Sequence, residues 1–319
     1  MHTIGRANFE HAQNHFVAIY CREGVGWREV ARQELACDLL DSNGVREVKV
    51  TSGRTWIEVH GGAGAHGSCY DLLSFDGKNI RDEVSASSGE LRDLNRDGTP
   101  EVVLDETEHY VFCYACGVTI PNFKVLRWDG AQFVEVHLAR MPDSAPVETR
   151  RLTNQAIDLV EGGFWKEARE TIIQTQALDS KNPAIAWDAA LILLHAEARA
   201  EQAKSGVYPL LDNVIYGDYA SALDALRPYT AAQIFDLNGP VIAGTPAEGF
   251  EERLISEVTR TATQALRTRP DLAAAYYLRG WGTYLREHSN PAALANVERA
   301  ARLAPDEQLF LEGVAQLRK

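Results

Sequence analysis

The stretch Asp93-Leu94-Asn95-Arg96-Asp97-Gly98-Thr99-Pro100-Glu101 carries an oxygen-bearing residue at every second position. A tight loop turns alternate side chains to one side, so these oxygens can converge on a single cation. Calcium takes roughly 6–8 oxygen ligands in flexible geometry, from carboxylates, amides, backbone carbonyls and water. The spacing predicts a Ca2+ site with side-chain oxygens from Asp93, Asn95, Asp97 and Glu101 and the backbone carbonyl of Thr99. Gly98 supplies the turn, and water completes the shell. The role expected for the ion is structural, because the set is closed and no separate general base stands beside it. An EF-hand would need a bidentate Glu at the twelfth position, where this chain has Leu104. The flank Val102-Val103-Leu104 reads as a strand, not a helix.

Other chemistry-bearing groups are sparser. Cys113-Tyr114-Ala115-Cys116 is a C-x-x-C without the βαβ pattern that a thioredoxin-like reading needs. A zinc site there would need two more ligands, and only Cys69 or His109 offer themselves. His60-Gly61-Gly62-Ala63-Gly64-Ala65-His66-Gly67 is glycine-rich. It lacks the Lys-Ser/Thr of a phosphate loop and a strand–helix setting, so it reads as a hairpin or connecting loop. No G-x-S-x-G or H-E-x-x-H occurs. A non-enzymatic protein is therefore expected. Trp56, Phe75, Trp128 and Phe133 fall at strand positions and are expected in the core.

The chain that must position these groups has 319 residues, 45% hydrophobic and 24% charged, with a formal net charge of −13. Those are globular proportions for about two domains. The acidity is spread over both halves. It repels phosphate backbones, so nucleic acid is not an expected partner. No apolar run approaches the ~18 residues of a membrane span. Met1 to Phe16 is polar and shows no signal-peptide h-region. All five cysteines (Cys21, Cys37, Cys69, Cys113 and Cys116) precede residue 117. They read either as up to two disulfides with one thiol left over, in an oxidising compartment, or as buried reduced thiols.

Up to Arg140, short alternating runs such as Val45 to Val50, Thr55 to Val59 and Val102 to Leu104 are bounded by Gly, Asp and Asn. Leu72-Leu73-Ser74-Phe75-Asp76-Gly77-Lys78-Asn79-Ile80 resembles Val125-Leu126-Arg127-Trp128-Asp129-Gly130-Ala131-Gln132-Phe133. Each predicts a hairpin around Asp-Gly, and the two glycines are 53 residues apart. Asp41-Ser42-Asn43-Gly44-Val45-Arg46-Glu47-Val48 aligns with Asn95 to Val102 at an offset of 54. Residues 1–140 are thus expected to form an antiparallel β domain of two blade-like units, a partial propeller or compact sandwich. Leu39 stands where Asp93 would be, so the first unit is expected to have lost its ion.

The calcium loop and its ladder, residues 38–136, resemble FG-GAP and VCBS repeats of integrin-α-like propellers and bacterial envelope proteins. The resemblance implies a loop joining two strands of a blade.

Met141 to Val147 holds Pro142 and Pro146, and 141–149 reads as a linker. Beyond it the period becomes helical. Gly163-Phe164-Trp165-Lys166-Glu167-Ala168 and Gly217-Asp218-Tyr219-Ala220-Ser221-Ala222 share Gly, an aromatic two residues on, and Ala three later. Ala265 to Asp271 matches Ala300 to Asp306 at an offset of 35. With Ala273 to Trp281, these features resemble tetratricopeptide repeats, whose period is about 34. The resemblance implies that Gly ends one helix, the aromatic packs under the turn and Ala lets the helices approach. Residues 150–319 are expected as three imperfect repeats and a last helix, with an insertion loop at Phe235 to Gly249 and a long helix from Ala184. Such arrays bind peptides in a concave groove. Arg151, Asn154, Arg199 and Arg279 are its exposed polar candidates, without assignment to either face.

The fold class expected is α+β in two domains. The function expected is that of a non-enzymatic, calcium-binding protein–protein interaction protein, working through the helical groove, the β-domain loops or both. The alternative is a periplasmic inhibitor or immunity protein against a lysozyme-like or other peptidoglycan-degrading effector. The β domain resembles periplasmic lysozyme inhibitors, whose plug loop often reads Ser-Gly-x-Tyr. Here Ser52-Gly53-Arg54-Thr55 and Ser68-Cys69-Tyr70 match it in part. The calcium loop favours a periplasmic or extracellular setting, with the cytoplasm as the alternative, because cytosolic calcium would leave such a site empty.

Overall fold

The computed structural model describes residues 2–6, 15–35, 37, 39–63, 67–107 and 117–319. It is α+β, with antiparallel strands first and helices after them. The chain divides into two compact units. One comprises Met1–Glu106 with Phe123–Val136; the other comprises Thr107–Asn122 with His137–Lys319. Among the described residues no helix is long and apolar enough to cross a membrane.

The β unit holds three antiparallel sheets. The first has the order β1 (His2–Arg6), β2 (His15–Glu23), β3 (Gly26–Leu35). The second is a four-stranded meander of β4 (Leu39–Val48), β5 (Thr55–Ala63), β6 (Gly67–Phe75) and β7 (Ile80–Ala86). The third is a second meander of β8 (Gly89–Arg92), β9 (Glu101–Asp105), β10 (Phe123–Trp128) and β11 (Phe133–Glu135). Among the described residues they close neither a barrel nor a propeller.

The period of two along a strand explains how the sheets stack. On β5 and β6, Ile57, Val59, Cys69, Leu73 and Phe75 face one way and join Val17 and Ile19 of the first sheet. Trp56, Tyr70 and Leu72 face the other way and join Val102 and Leu104 of the third. The second sheet is thus a middle layer covered on both faces. This is why β6 is buried along most of its length rather than alternating. Cys37 and Cys69 are joined by a disulfide inside the first of these cores, across a sequence separation of 32. Cys21 is a free thiol, and Cys113 and Cys116 lie outside the described residues.

The two Asp-Gly hairpins are built alike. Gly77 and Gly130 take φ of +96° and +107°. Asp76 Oδ1 accepts from the backbone N–H groups of Lys78 and Asn79 at 2.9 and 2.8 Å. Asp129 Oδ1 accepts from Ala131 and Gln132 at 2.8 and 2.9 Å. Each hairpin closes the last two strands of its meander. The other half of the expected repeat does not align in this way. Gly44 lies within β4, where the pairing with β5 breaks register between Leu40 and Val45, whereas Gly98 lies in the β8–β9 loop. By strand order, the counterpart of that loop is the short turn 49–54. Shared Asx-Gly composition serves a strand irregularity in one place and a long loop in the other.

The helical unit runs α1 (Val147–Glu161), α2 (Trp165–Leu178), α3 (Pro183–Ser205), α4 (Pro209–Tyr216), α5 (Tyr219–Asp224), α6 (Ala231–Ile234), α7 (Glu251–Thr268), α8 (Ala273–Arg286), α9 (Pro291–Leu303) and α10 (Gln308–Leu317). Consecutive helices pack on one another, α1 on α2 and α2 on α3, and α7 on α8 and α8 on α9. Asn182 and Asn290 cap α3 and α9 with a proline at the first helical position, where its missing N–H costs nothing. Gly163 and Gly217 both take φ of +79° after α1 and α4. The two turns touch: a Cβ on Gly217 would lie 2.4 Å from the Gly163 carbonyl oxygen. Ala168 and Ala222 are fully buried, as are Ala265 and Ala300 near the ends of α7 and α9.

One expectation for this unit needs correction. In the first Gly-aromatic copy, Phe164 fills the core and meets Tyr219 at 5.9 Å between ring centroids, while Trp165 is half-buried. Phe235–Gly249 is a loop between α6 and α7, and it packs inward. Phe235, Val241, Ile242 and Ala247 are buried, and the Trp281 indole N–H donates to the Ile234 carbonyl at 2.8 Å. Its apolar residues hold it in the core against α8. The linker region is likewise bonded into this unit: the Met141 N–H donates to Asn154 Oδ1 at 2.8 Å.

Asp188 of α3 is 1% exposed, and its Oδ1 accepts from the Ala139 N–H at 2.9 Å. Burial pushes its carboxyl up to about 6, against that hydrogen bond. The folded state therefore keeps the proton that the unfolded chain releases near pH ~4. Stability from this group is full below that pH, falls as pH rises to about 6, and is flat above. Asp188→Asn keeps the acceptor and removes the charge. It is expected to be neutral near pH 4 and to stabilise by about 2 kcal/mol at pH 7. Urea unfolding at both pH values tests this, and an equal effect at the two would refute it.

Candidate functional site

The predicted ligand residues sit together, four in the β8–β9 loop and Glu101 at the start of β9. Two left-handed residues shape the loop: Arg96 at φ +64° and Gly98 at φ +89°. Arg96 is the one non-glycine residue with positive φ among those described. Alternate side chains turn inward as expected, and in this structure their oxygens accept from the loop's own backbone. Asp93 Oδ1 and Oδ2 take the N–H groups of Asp97 and Gly98, both at 3.0 Å. Asn95 Oδ1 takes Asp97 N–H at 2.9 Å, and Asp97 Oδ1 takes Thr99 N–H at 2.8 Å. Asn95 Nδ2 donates to Asp97 Oδ2 at 2.8 Å.

Glu101 opens β9 and is 2% exposed. Its Oε2 accepts from the Leu94 N–H at 2.9 Å. Burial, and then the charges of Asp97 and Asp93, push its carboxyl up to about 7. Among the described residues, no three His, Cys, Asp or Glu side chains converge closely enough to hold a metal as they stand. The donor chemistry still fits calcium. The loop offers three carboxylates and an amide, all oxygen donors, with like charges that a cation would neutralise. Asp93, Asn95, Asp97, Glu101 and the Thr99 carbonyl are the residues that would hold it. A bound ion would supply charge neutralisation and a rigid loop.

The other sequence candidates take structural places. Cys69 is in the disulfide and so is not a metal ligand; the C-x-x-C and His109 lie outside the described residues. The glycine-rich stretch begins as strand: His60, Gly61 and Gly62 pair with Tyr70, Cys69 and Ser68. Trp56 is buried and meets Trp128 edge-on at 5.1 Å, with Phe133 beside both. Glu58 is fully buried. Its Oε2 accepts from Arg46 Nε at 2.5 Å and its Oε1 from the Leu91 N–H at 3.1 Å, which ties the second sheet to the third.

The helical unit contains a concavity of 450 Å³ lined by Glu161, Ser256, Thr259, Arg260, Thr263, Gln264, Arg267 and Arg286. Six of these eight lie on α7, at the three- and four-residue spacing that makes one helix face. The opposite face carries Leu254, Ile255, Val258, Ala262, Ala265 and Leu266 into the core. Arg260 pairs with Glu257, and Gln264 Nε2 donates to the Glu161 carbonyl at 2.8 Å. Arg267 and Arg286 are exposed and make no ion pair among the described residues.

Sequence reasoning did not find this face, although the stripe of Ser, Thr, Arg and Gln at helical spacing was its signal. Of the four polar candidates, Arg151 bonds to Glu148 and Gln155 on its own helix, and Asn154 to the Met141 backbone. Arg279 bonds to Asn296. Arg199 is not exposed as expected: it is 7% exposed, under a neighbouring pocket that shares Arg260 and Gln264 with the concavity. Compared with family models, curated proteins and solved structures, the chain finds no significant match, so it is assigned to no family.

Proposed function

We propose that this chain is a non-enzymatic interaction protein that takes a segment of a partner protein in the groove along α7, while a calcium-binding loop rigidifies its β unit. The observation that carries the reading is the polar face Ser256, Thr259, Arg260, Thr263, Gln264 and Arg267, which lines a concavity along α7. Its hydroxyl, amide and guanidinium groups are strung along a helix and do not converge on one reacting atom, which suits recognition of an extended chain. The paired glycine turns and buried alanines support tetratricopeptide-like packing. Two four-stranded meanders packed face to face support a propeller-like arrangement of blades.

The Cys37–Cys69 disulfide supports an oxidising compartment, periplasmic or extracellular. It also favours the second reading, an inhibitor of a peptidoglycan-degrading enzyme. For that role only the turn Ser52-Gly53-Arg54-Thr55 offers an exposed tip, because Tyr70 of the other partial match is fully buried.

Selection of a random dodecapeptide display library on the full chain tests the groove. Peptides with micromolar affinity are expected. The double substitution Arg267→Glu with Arg286→Glu is expected to weaken them at least about tenfold, as for a desolvated charge pair. No enrichment, or affinities unchanged by the substitutions, would remove the reading.

A further inference from the structure

Next to the concavity lies a smaller pocket of 180 Å³, lined by Ile120, Val160, Trp165, Arg199, Ile215, Glu257 and four further residues, among them Arg260 and Gln264 of the groove. Arg199, on α3, is its unusual member. Its guanidinium lies 4.3 Å from the centre of the Trp165 ring, and Nη1 donates to the His195 carbonyl at 3.1 Å. Nε is buried without any hydrogen-bond partner. Arg199 makes no ion pair with any carboxylate among the described residues. Burial alone pulls the guanidinium down to about 10.

The buried carboxylate in the same pocket, Glu257, is already paired with Arg260. The pocket therefore holds one positive charge without a counter-charge, in a protein whose net charge is −13. An unpaired buried charge is costly, and folds retain one where a partner completes it. Trp165 stacks on His195, with centroids 5.2 Å apart and planes 23° from parallel, so the wall under the guanidinium is fixed.

We infer that this pocket is an anion site that receives an acidic side chain of the partner segment, its carboxylate on Arg199 and its short aliphatic stem against Ile120, Val160 and Ile215. This rests on the groove reading and names the chemistry of its ligand. A carboxylate matches the pocket's single charge, and one acidic side chain suits its volume. The neighbouring Arg260, Arg267 and Arg286 would carry the flanking residues by charge complementarity.

The test uses the full chain and two small probes, acetate and inorganic phosphate, at 100 mM against chloride of matched ionic strength. Acetate is expected to raise the wild-type Tm by about 4 °C. Phosphate should do less. Arg199→Met is expected to melt no lower than wild type in chloride, because the unpaired charge is gone, and to show no acetate response. Arg199→Lys should keep the charge and part of the response. An acetate response equal in wild type and Arg199→Met would overturn the site, as would no response in wild type. A stronger response to phosphate would overturn the carboxylate assignment.

Peptides selected on the groove separate the two readings. They are expected to require Asp or Glu at one position and to lose at least tenfold in affinity to Arg199→Met. Peptides that bind the groove with no acidic position would sink this inference and leave the groove standing. An acetate response without any selected peptide would keep the anion site and sink the groove.

Discussion

Replacing Cys37 and Cys69 together by alanine is expected to lower the Tm of the β unit by roughly 15 °C. The bond closes a loop across a separation of 32 residues. Chain entropy for such a loop corresponds to about 4 kcal/mol of stability. Both cysteines lie in the core shared by the first two sheets, with Val17, Ile19, Ile57 and Leu73. Alanine there removes sulfur packing as well as the cross-link, so the entropic figure is a lower guide. Cys21 makes no disulfide, and Cys21→Ser is expected to change little. The measurement is thermal unfolding by near-UV circular dichroism, with and without reductant. Wild type in reductant should approach the double variant, slowly, since both sulfurs are buried. Identical melting of wild type and double variant would show that the bond does not form in solution. That outcome would also withdraw support for an oxidising compartment.

The order of β before α, the Asp-Gly hairpins and the Asx-rich loop before β9 were legible because local chemistry fixes them. A turn that needs positive φ selects Gly, and one that feeds a backbone N–H into a side chain selects Asp, wherever the chain goes next. The buried alanines and paired glycines of the helical unit were legible for the same reason. What the sequence hid depends on distant neighbours. Gly44 and Gly98 stand in similar Asx-Gly contexts, yet one is inside a strand and the other in a loop, because strand pairing decides between them. The first three-stranded sheet was not read at all, since β3 is polar along much of its length and shows no run of core residues. Arg199 was read as exposed because arginine almost always is. Its burial comes from Trp165, which left the core position to Phe164 and turned towards α3. The same side chain therefore accounts for both a missed core contact and the candidate anion pocket.

Calcium at 10 mM is expected to stabilise the β unit by about 4 kcal/mol relative to chelator, taking Kd ~10 µM. The physical reason is the crowding of Asp93, Asp97 and Glu101 within nine residues, their oxygens now bonded to the backbone N–H groups of the loop and, for Asp97, to the Asn95 amide. Those bonds orient the oxygens but leave like charges facing one another. A divalent cation removes that repulsion and exchanges backbone donors for direct ligation. Asp93→Asn with Asp97→Asn is the informative variant, because each amide keeps a carbonyl oxygen for the N–H groups of Asp97 and Thr99 while losing its charge, at the cost of the second acceptor that takes the Gly98 N–H and the Asn95 amide. In chelator the relief of repulsion offsets those lost bonds, and the variant is expected to melt close to wild type. In calcium it is expected to lose nearly all of the shift. Asp97→Ala would confound the two effects, since it also removes the acceptor for Thr99. Magnesium should give a much smaller shift, because it demands near-ideal octahedral geometry and gives up water reluctantly. Sodium chloride at equal ionic strength controls for screening. If sodium and calcium act alike, or if the double amide keeps the calcium response, the loop is an Asx-rich turn held by its own backbone and no ion belongs there.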